Sequence, residues 1–356
     1  VVFMALMTFI STIGVQIGER LQMILMVIQL VAMMAFGILA LMHSGDGSNA
    51  GSIAFDWGWF NPAELTPWSG FMQAVLLALF IYWGWDTCLA LNEETKNPRK
   101  TPGRAALLSI AILIVLYVGV SVAVMMFAGF GETGYGLTNA ENLDDVFSVL
   151  GGALFGPWGW FLILGVLVSA ASSTQTTILP AARGTLSMAV YRAMPAKFAA
   201  LHPKFKTPWF STTVLGVAAI VYYAGMSILS EDMLADSLTS MGLAVALYYA
   251  ITSFACVWYF RATLRDSARN LWMRGILPGL GGLMLAYAFV QSAIDMINVD
   301  YGYTVLFGVG GAFVIGIGAI LIGFVFMGLW ALRPGSRAFF RGESLNRDTP
   351  VLVPDE

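Results

Sequence analysis

The sequence predicts an all-α integral membrane protein, and three observations carry that prediction: the composition, the recurrence of bilayer-length apolar runs, and the placement of the charges. Of 356 residues, 58% are apolar and only 11% are charged, and the mean hydropathy is +0.77. A water-soluble core of this size cannot hide so large an apolar fraction. The formal net charge of -3, from 18 basic and 21 acidic residues, excludes a nucleic-acid binder by bulk charge. Cys88 and Cys256 sit inside apolar runs without metal-ligand spacing, and the histidines are His43 and His202. That pattern argues against a disulfide scaffold and against a metal centre.

A bilayer crossing needs about 20 apolar residues. Runs of that kind fall near 1–17, 21–42, 68–91, 105–128, 157–180, 209–229, 237–260, 275–294 and 304–331. The first is short and opens on Val1-Val2-Phe3 without a basic start or a small-residue cleavage site, so it reads as a span that belongs to a longer parent chain rather than as a signal peptide. The basic residues fall into five groups: Arg20; Lys96 to Arg104; Arg183 to Lys206; Arg261 to Arg274; and Arg333 to Arg347. The intervening connections 43–67, 129–156, 230–236 and 295–303 contain no Lys or Arg. They hold acids such as Asp56, Glu132, Asp145, Glu231 and Asp300. Strict alternation of this kind is the positive-inside pattern at every turn, and it predicts nine crossings with the basic loops and the C-terminus in the cytoplasm of a plasma-membrane protein.

Smaller signals fit the same segmentation. Thr66-Pro67, Thr101-Pro102 and Thr207-Pro208 each pair a capping hydroxyl with a proline suited to a first helical turn. Trp57, Trp59, Trp68, Trp158, Trp160, Tyr301 and Tyr303 lie near the acidic ends of spans, where amphipathic rings prefer the headgroup level. The stretch 144–150 reads as a short amphipathic helix on the outer surface.

Polar groups inside a span must face protein or water, which makes them the first candidates for function. In Phe80-Ile81-Tyr82-Trp83-Gly84-Trp85-Asp86-Thr87 a glycine and a carboxylate interrupt an apolar run among aromatic side chains. This predicts a broken helix whose freed carbonyls accept a substrate ammonium, with Phe80 and Trp83 covering it by apolar and cation-π contact. The alternative reading has Asp86 capping the second half-helix and the aromatics simply packing. Ser169 to Thr177 is a run of hydroxyls and one amide. It reads either as an interhelical contact face or, through Ser173 and Thr177 one turn apart, as part of a central site. Gln29 lies in mid-span and needs a partner inside the bundle, most simply an interhelical hydrogen bond.

These residues carry a family resemblance. Tyr82-Trp83-Gly84-Trp85-Asp86 followed by Glu93-Glu94-Thr95-Lys96-Asn97-Pro98-Arg99-Lys100-Thr101-Pro102 resembles the sixth span and next loop of amino acid-polyamine-organocation permeases. Ala182-Arg183, Ser187-Met188-Ala189, Arg192-Ala193-Met194-Pro195, Phe198-Ala199, His202-Pro203 and Thr207-Pro208 look like the end of that family's eighth span and the loop after it. The resemblance implies a LeuT-type fold of two inverted five-helix repeats plus two helices. Residues 1–42 would then be the last two spans of the first repeat, 68–260 the second repeat, 275–331 the two extra spans and 332–356 a cytoplasmic tail. It further implies substrate contacts at Phe80, Tyr82, Trp83, Gly84, Trp85 and Thr177, gating or coupling at Asp86 and Gln29, and an ion site near Ser172 and Ser173. Many proton-coupled members carry a lysine at the position aligned with Gln29, and glutamine does not exchange a proton near neutral pH. Proton, sodium and solute exchange therefore all stay open as the coupling mode, with no cofactor or metal expected.

The function expected is a secondary transporter of amino acids working by alternating access. Its partners would be a small-molecule substrate and the lipid bilayer, with oligomeric state left open. A permease for polyamines or other amines, an amino acid exchanger and a non-transporting membrane sensor are the alternatives. An enzyme is disfavoured by the lack of a membrane-depth histidine or acid pair.

Overall fold

The computed structural model describes residues 1–13, 15–61, 64, 68–90, 95–98, 100–143 and 145–343. The helices in chain order are α1 (Val2–Ile13), α2 (Val15–His43), α3 (Trp68–Ile81), α4 (Thr87–Ala90), α5 (Thr101–Ala128), α6 (Ala140–Leu143) and α7 (Val146–Phe155). They continue with α8 (Gly159–Val190), α9 (Trp209–Leu229), α10 (Glu231–Phe260), α11 (Ala268–Asn270), α12 (Leu277–Asp295), α13 (Gly311–Ala331) and α14 (Arg337–Phe340). A two-stranded antiparallel hairpin, β1 (Val305–Leu306) and β2 (Val309–Gly310), precedes α13. Among the described residues, seven helical segments are long and apolar enough to cross a membrane, and two shorter apolar helices cover Val2–Ile13 and Gly70–Ile81. Those two shorter helices occupy the first and third of the expected spans. The third is short because its helix stops at Ile81.

The chain divides into two compact units, one comprising 1–60, 84–220 and 342–356 and the other 61–83 and 221–341. In the first, α2 lies against α5, α7 and α8. Phe36, Ala40, Ala123, Phe127, Leu150, Leu154 and Leu162 form its core. Lipid tails are as apolar as these side chains, so close van der Waals packing rather than water exclusion holds such helices together. Small residues make that approach possible: a Cβ on Gly165 of α8 would come within 2.7 Å of the Ala32 Cβ of α2. The predicted amphipathic stretch becomes α7, capped by Asp145 accepting from the Ser148 N–H at 3.0 Å. Its apolar face, Leu150 and Leu154, is buried in protein, and Asp144 of that stretch lies outside the described residues.

In the second unit, α3, α12 and α13 pack on α10, around Leu76, Leu243, Met296 and Ala312. Helix α10 starts earlier than the apolar run from 237, because Ser230 caps it by accepting from the Asp232 N–H and two acids occupy its first turn. The extension carries Asp236 out of the expected outer connection 230–236 and into the helix, where it is fully buried. Its Oδ1 accepts the Tyr303 N–H and its Oδ2 the Thr304 N–H, both at 2.9 Å, and the Thr304 hydroxyl donates to Oδ2 as well. The Thr304 carbonyl accepts the Gly311 N–H at 2.7 Å, and the Ile297 carbonyl accepts that of Gly310 at 3.1 Å. One carboxylate thus organises the connection between α12 and α13. Burial, with Asp295 nearby, pushes the Tyr301 phenol in this connection above its ordinary range.

Two expected caps take other roles. Thr101 is the first residue of α5 rather than its cap, since Lys100 holds that position and the Thr101 hydroxyl donates to the Lys96 carbonyl at 3.0 Å. The Thr207 hydroxyl donates to the Thr12 carbonyl of α1 at 2.7 Å, a tertiary tie that leaves α9 to begin at Trp209. Residues Thr66 and Pro67 lie outside the described residues. The basic group beginning at Arg183 is not wholly a loop. Helix α8 runs through Pro180 to Val190, and Arg183 is buried within it, donating to the Leu179 carbonyl at 3.2 Å.

Candidate functional site: a broken helix and a polar helix face

The interruption read at Gly84 is present as a break in the backbone. Helix α3 ends at Ile81, residues 82–86 form successive turns, and α4 begins at Thr87. The Tyr82 N–H still reaches the Ala78 carbonyl at 2.9 Å, but the Trp83 N–H bonds to Phe80 at 3.2 Å, a tightened final turn. Such a turn brings side chains three apart onto one side, here Phe80 and Trp83, both partly buried. Gly84 then adopts φ +110°, a conformation that L side chains rarely reach, with open space where a Cβ would stand. Backbone need, not crowding, therefore explains this glycine.

The break leaves polar groups over. Among the described residues, the Ile81 and Trp83 carbonyls accept no hydrogen bond and the Gly84 N–H donates none. Unsatisfied backbone groups at membrane depth persist only where they line a cavity or meet a ligand. Asp86 occupies the capping position of α4, its carbonyl accepting from the Leu89 and Ala90 N–H groups at 2.8 and 3.3 Å. Cys88 fastens the restarted helix by donating to the Trp85 carbonyl at 2.9 Å and the Pro102 carbonyl at 3.4 Å. Glu93, Glu94 and Arg99 of the motif after the break lie outside the described residues.

Helix α4 packs against both α5 and α8 within the first unit. The run from Ser169 to Thr177 splits across two faces of α8. Ala171, Ser172, Gln175 and Ile178 are buried at helical spacing, whereas Ser173 and Thr177 are exposed. The Thr177 hydroxyl returns to its own helix at the Ser173 carbonyl, 2.8 Å away. Ser173 and Thr177 thus share a face, as their spacing predicts, and Ser172 belongs to another.

Ser172 meets α2 through Gln22, whose side-chain amide donates to the serine hydroxyl. It is not met by Gln29, the amide singled out from the sequence. Gln29 lies two turns further along α2, about 10 Å at 1.5 Å per residue, and its side-chain carbonyl is buried without a hydrogen-bond partner among the described residues. The Gln22 carbonyl and both polar atoms of Gln175 are in the same condition, Gln175 at 1% exposure. Reading residues singly missed Gln22 and took Gln175 only as the one amide in the polar run. The signal for Gln22 is an amide on an apolar helix, and only the antiparallel register of α2 on α8 pairs it with Ser172.

Among the described residues, seven bilayer-length apolar helices mark a multi-pass membrane protein. Comparison with known proteins fixes the family. The amino acid permease family matches residues 1–307, and the chain belongs to it. It is 26% identical to a serine/threonine exchanger of Bacillus subtilis over 68% of this chain and 53% of that protein. It is 30% identical to an uncharacterised transporter of Mycobacterium tuberculosis over 63% of this chain and 48% of that protein. With a branched-chain amino acid permease of Bacillus subtilis it shares 25% identity over 61% of this chain and 43% of the permease. The chain spans about half the length of the curated relatives it matches.

Proposed function

We propose that the full protein is a plasma-membrane secondary transporter that moves amino acids by alternating access, its C-terminus in the cytoplasm. The reading rests chiefly on the break at residues 82–86, where the Ile81 and Trp83 carbonyls, without a partner among the described residues, suit a substrate ammonium and the Gly84 N–H, likewise without one, suits an anionic oxygen. A zwitterion matches that mixed set better than a polyamine, which offers donors alone. Phe80, Tyr82, Trp83 and Trp85 supply apolar and cation-π contact around the break, Asp86 gates it, and Thr177 is a further substrate contact on α8. The repeat organisation implied by the family accompanies this reading, with 68–260 as the second repeat and a LeuT-type arrangement.

Exchange of one amino acid for another is favoured as the coupling mode by one observation. The Gln22 amide of α2 donates to the Ser172 hydroxyl of α8, and neither group carries a proton on and off near neutral pH. The serine/threonine relative, named an exchanger, is consistent with it. The test is counterflow: the full-length protein in liposomes loaded with unlabelled amino acid, without ion gradients, should accumulate labelled amino acid from outside. Accumulation that needs an imposed sodium or proton gradient overturns the exchange mode, and a preference for polyamines over every amino acid overturns the substrate class.

A further inference from the structure

We infer that the arginine-bearing end of the second unit is a binding surface for the phosphate headgroups of anionic phospholipids. Asp236 near the start of α10 holds Thr304, and Ile297 beyond α12 holds Gly310 beside the start of α13. These contacts place one end of all three helices together. At the opposite end, the end of α10 and the start of α12 lie together, joined by the turn at Leu271–Ile276 that packs on both helices. The stretch 261–276 that joins them carries Arg261, Arg265, Arg269 and Arg274 against the single acid Asp266, and the unit contains no lysine.

The positive-inside pattern accounts for charge at this end but not for the choice of arginine, since lysine serves topology equally well. Arginine offers a planar fork of donors that grips phosphate at two points, and it stacks on aromatic rings. The second property is visible here. Arg261 sits 4.1 Å from the Trp258 ring centroid and Arg274 is 4.5 Å from that of Phe260. The Arg261 guanidinium also donates to the Trp258 carbonyl at 2.7 Å. Stacking fixes the guanidinium planes and lowers the entropy lost when they take a ligand.

The surroundings specify the ligand further. Trp258, Trp272, Leu271 and Met273 are exposed beside the arginines, and a wide π-type turn at Leu271–Ile276 presents them. A free anion has no use for these apolar groups. A lipid has a phosphate for the arginines and glycerol and acyl carbons for the flanking rings, and basic clusters at a bilayer edge attract anionic headgroups strongly.

The test is lipid titration of the purified full-length protein, with dioleoylphosphatidylglycerol or dioleoylphosphatidylcholine, followed by native mass spectrometry. Phosphatidylglycerol should bind first and saturate a small number of positions, and millimolar inorganic phosphate should leave it bound. Converting Arg261 and Arg274 together to Gln should weaken that binding about thirtyfold, given about 1 kcal/mol for each basic group near an anionic surface. Converting the same two to Lys keeps every charge, and with it the topology, and should still weaken binding several-fold. Equal binding of the two lipids, full retention by the Lys variant, or displacement by phosphate each overturns the inference.

Discussion

Replacing Asp236 should unfasten the connection between α12 and α13. The carboxylate is wholly buried and takes the Tyr303 N–H, the Thr304 N–H and the Thr304 hydroxyl. Asp236→Ala strands two backbone N–H groups, each worth about 1–3 kcal/mol when left unpaired in a buried place. The hydroxyl can turn to another acceptor, so the expected loss is about 2–5 kcal/mol, where the breaking of a buried charged contact generally falls. Asp236→Asn should lose about half as much, because one oxygen remains to serve the Thr304 pair while the amide N–H opposes the Tyr303 N–H. Gly302→Ala and Gly311→Ala are controls of a different kind, since a Cβ at either position would press on the same carboxylate. Thermal unfolding of the detergent-purified full-length protein, followed by tryptophan fluorescence, reads all four. The expected order of melting temperature is wild type, Asn, then Ala, with both glycine variants below wild type. An Ala variant that melts with wild type would refute the idea that this carboxylate holds the connection.

Further outcomes follow from the break and from the loop after α8. Gly84→Ala meets no atom but must hold φ +110°, a strain of about 1–3 kcal/mol. Uptake into proteoliposomes should fall while membrane insertion stays normal, and wild-type uptake would show that the break needs no glycine. Trp83→Ala should raise the KM for uptake about tenfold without lowering expression, by loss of a cation-π contact worth about 1–2 kcal/mol; an unchanged KM makes Trp83 a packing residue. Asp86→Asn should lower uptake while membrane insertion stays normal, and wild-type uptake would limit Asp86 to capping α4. The His202 Nδ1 accepts the Lys204 and Phe205 N–H groups at 3.1 and 3.2 Å. His202→Ala should therefore lower thermal stability, and His202→Asn should restore part of it, because an Asn oxygen can take the same two donors. Equal melting of the Ala and Asn variants would count against that acceptor role.

The bilayer-length helices were legible in the sequence because hydropathy follows the chain directly, and so was the break, because Gly84 and Asp86 stand in an apolar aromatic run. What escaped were groups whose partners are distant in sequence. Asp236 has the composition of a loop acid beside Glu231 and Asp232, and only its partners Tyr303 and Thr304 reveal it as an anchor. Helix α2 is apolar nearly all round, so its pattern does not say whether Gln22 or Gln29 faces Ser172. The register on α8 decides it, and close approach at Gly165 and Ala32 sets that register. Thr101 and Thr207 have the sequence of caps, yet their hydroxyls go to the Lys96 and Thr12 carbonyls. Local chemistry states what a hydroxyl can do, and packing chooses among the options.

The central claim is that the broken helix at 82–86 binds an amino acid for transport. Its most direct test is saturable binding of radiolabelled amino acids to the purified full-length protein by scintillation proximity, with the Gly84→Ala and Trp83→Ala variants measured beside it. Saturable binding of at least one amino acid, weakened in both variants and not displaced by polyamines, is the predicted result. Binding of equal affinity in wild type and both variants would contradict the account by placing the substrate elsewhere.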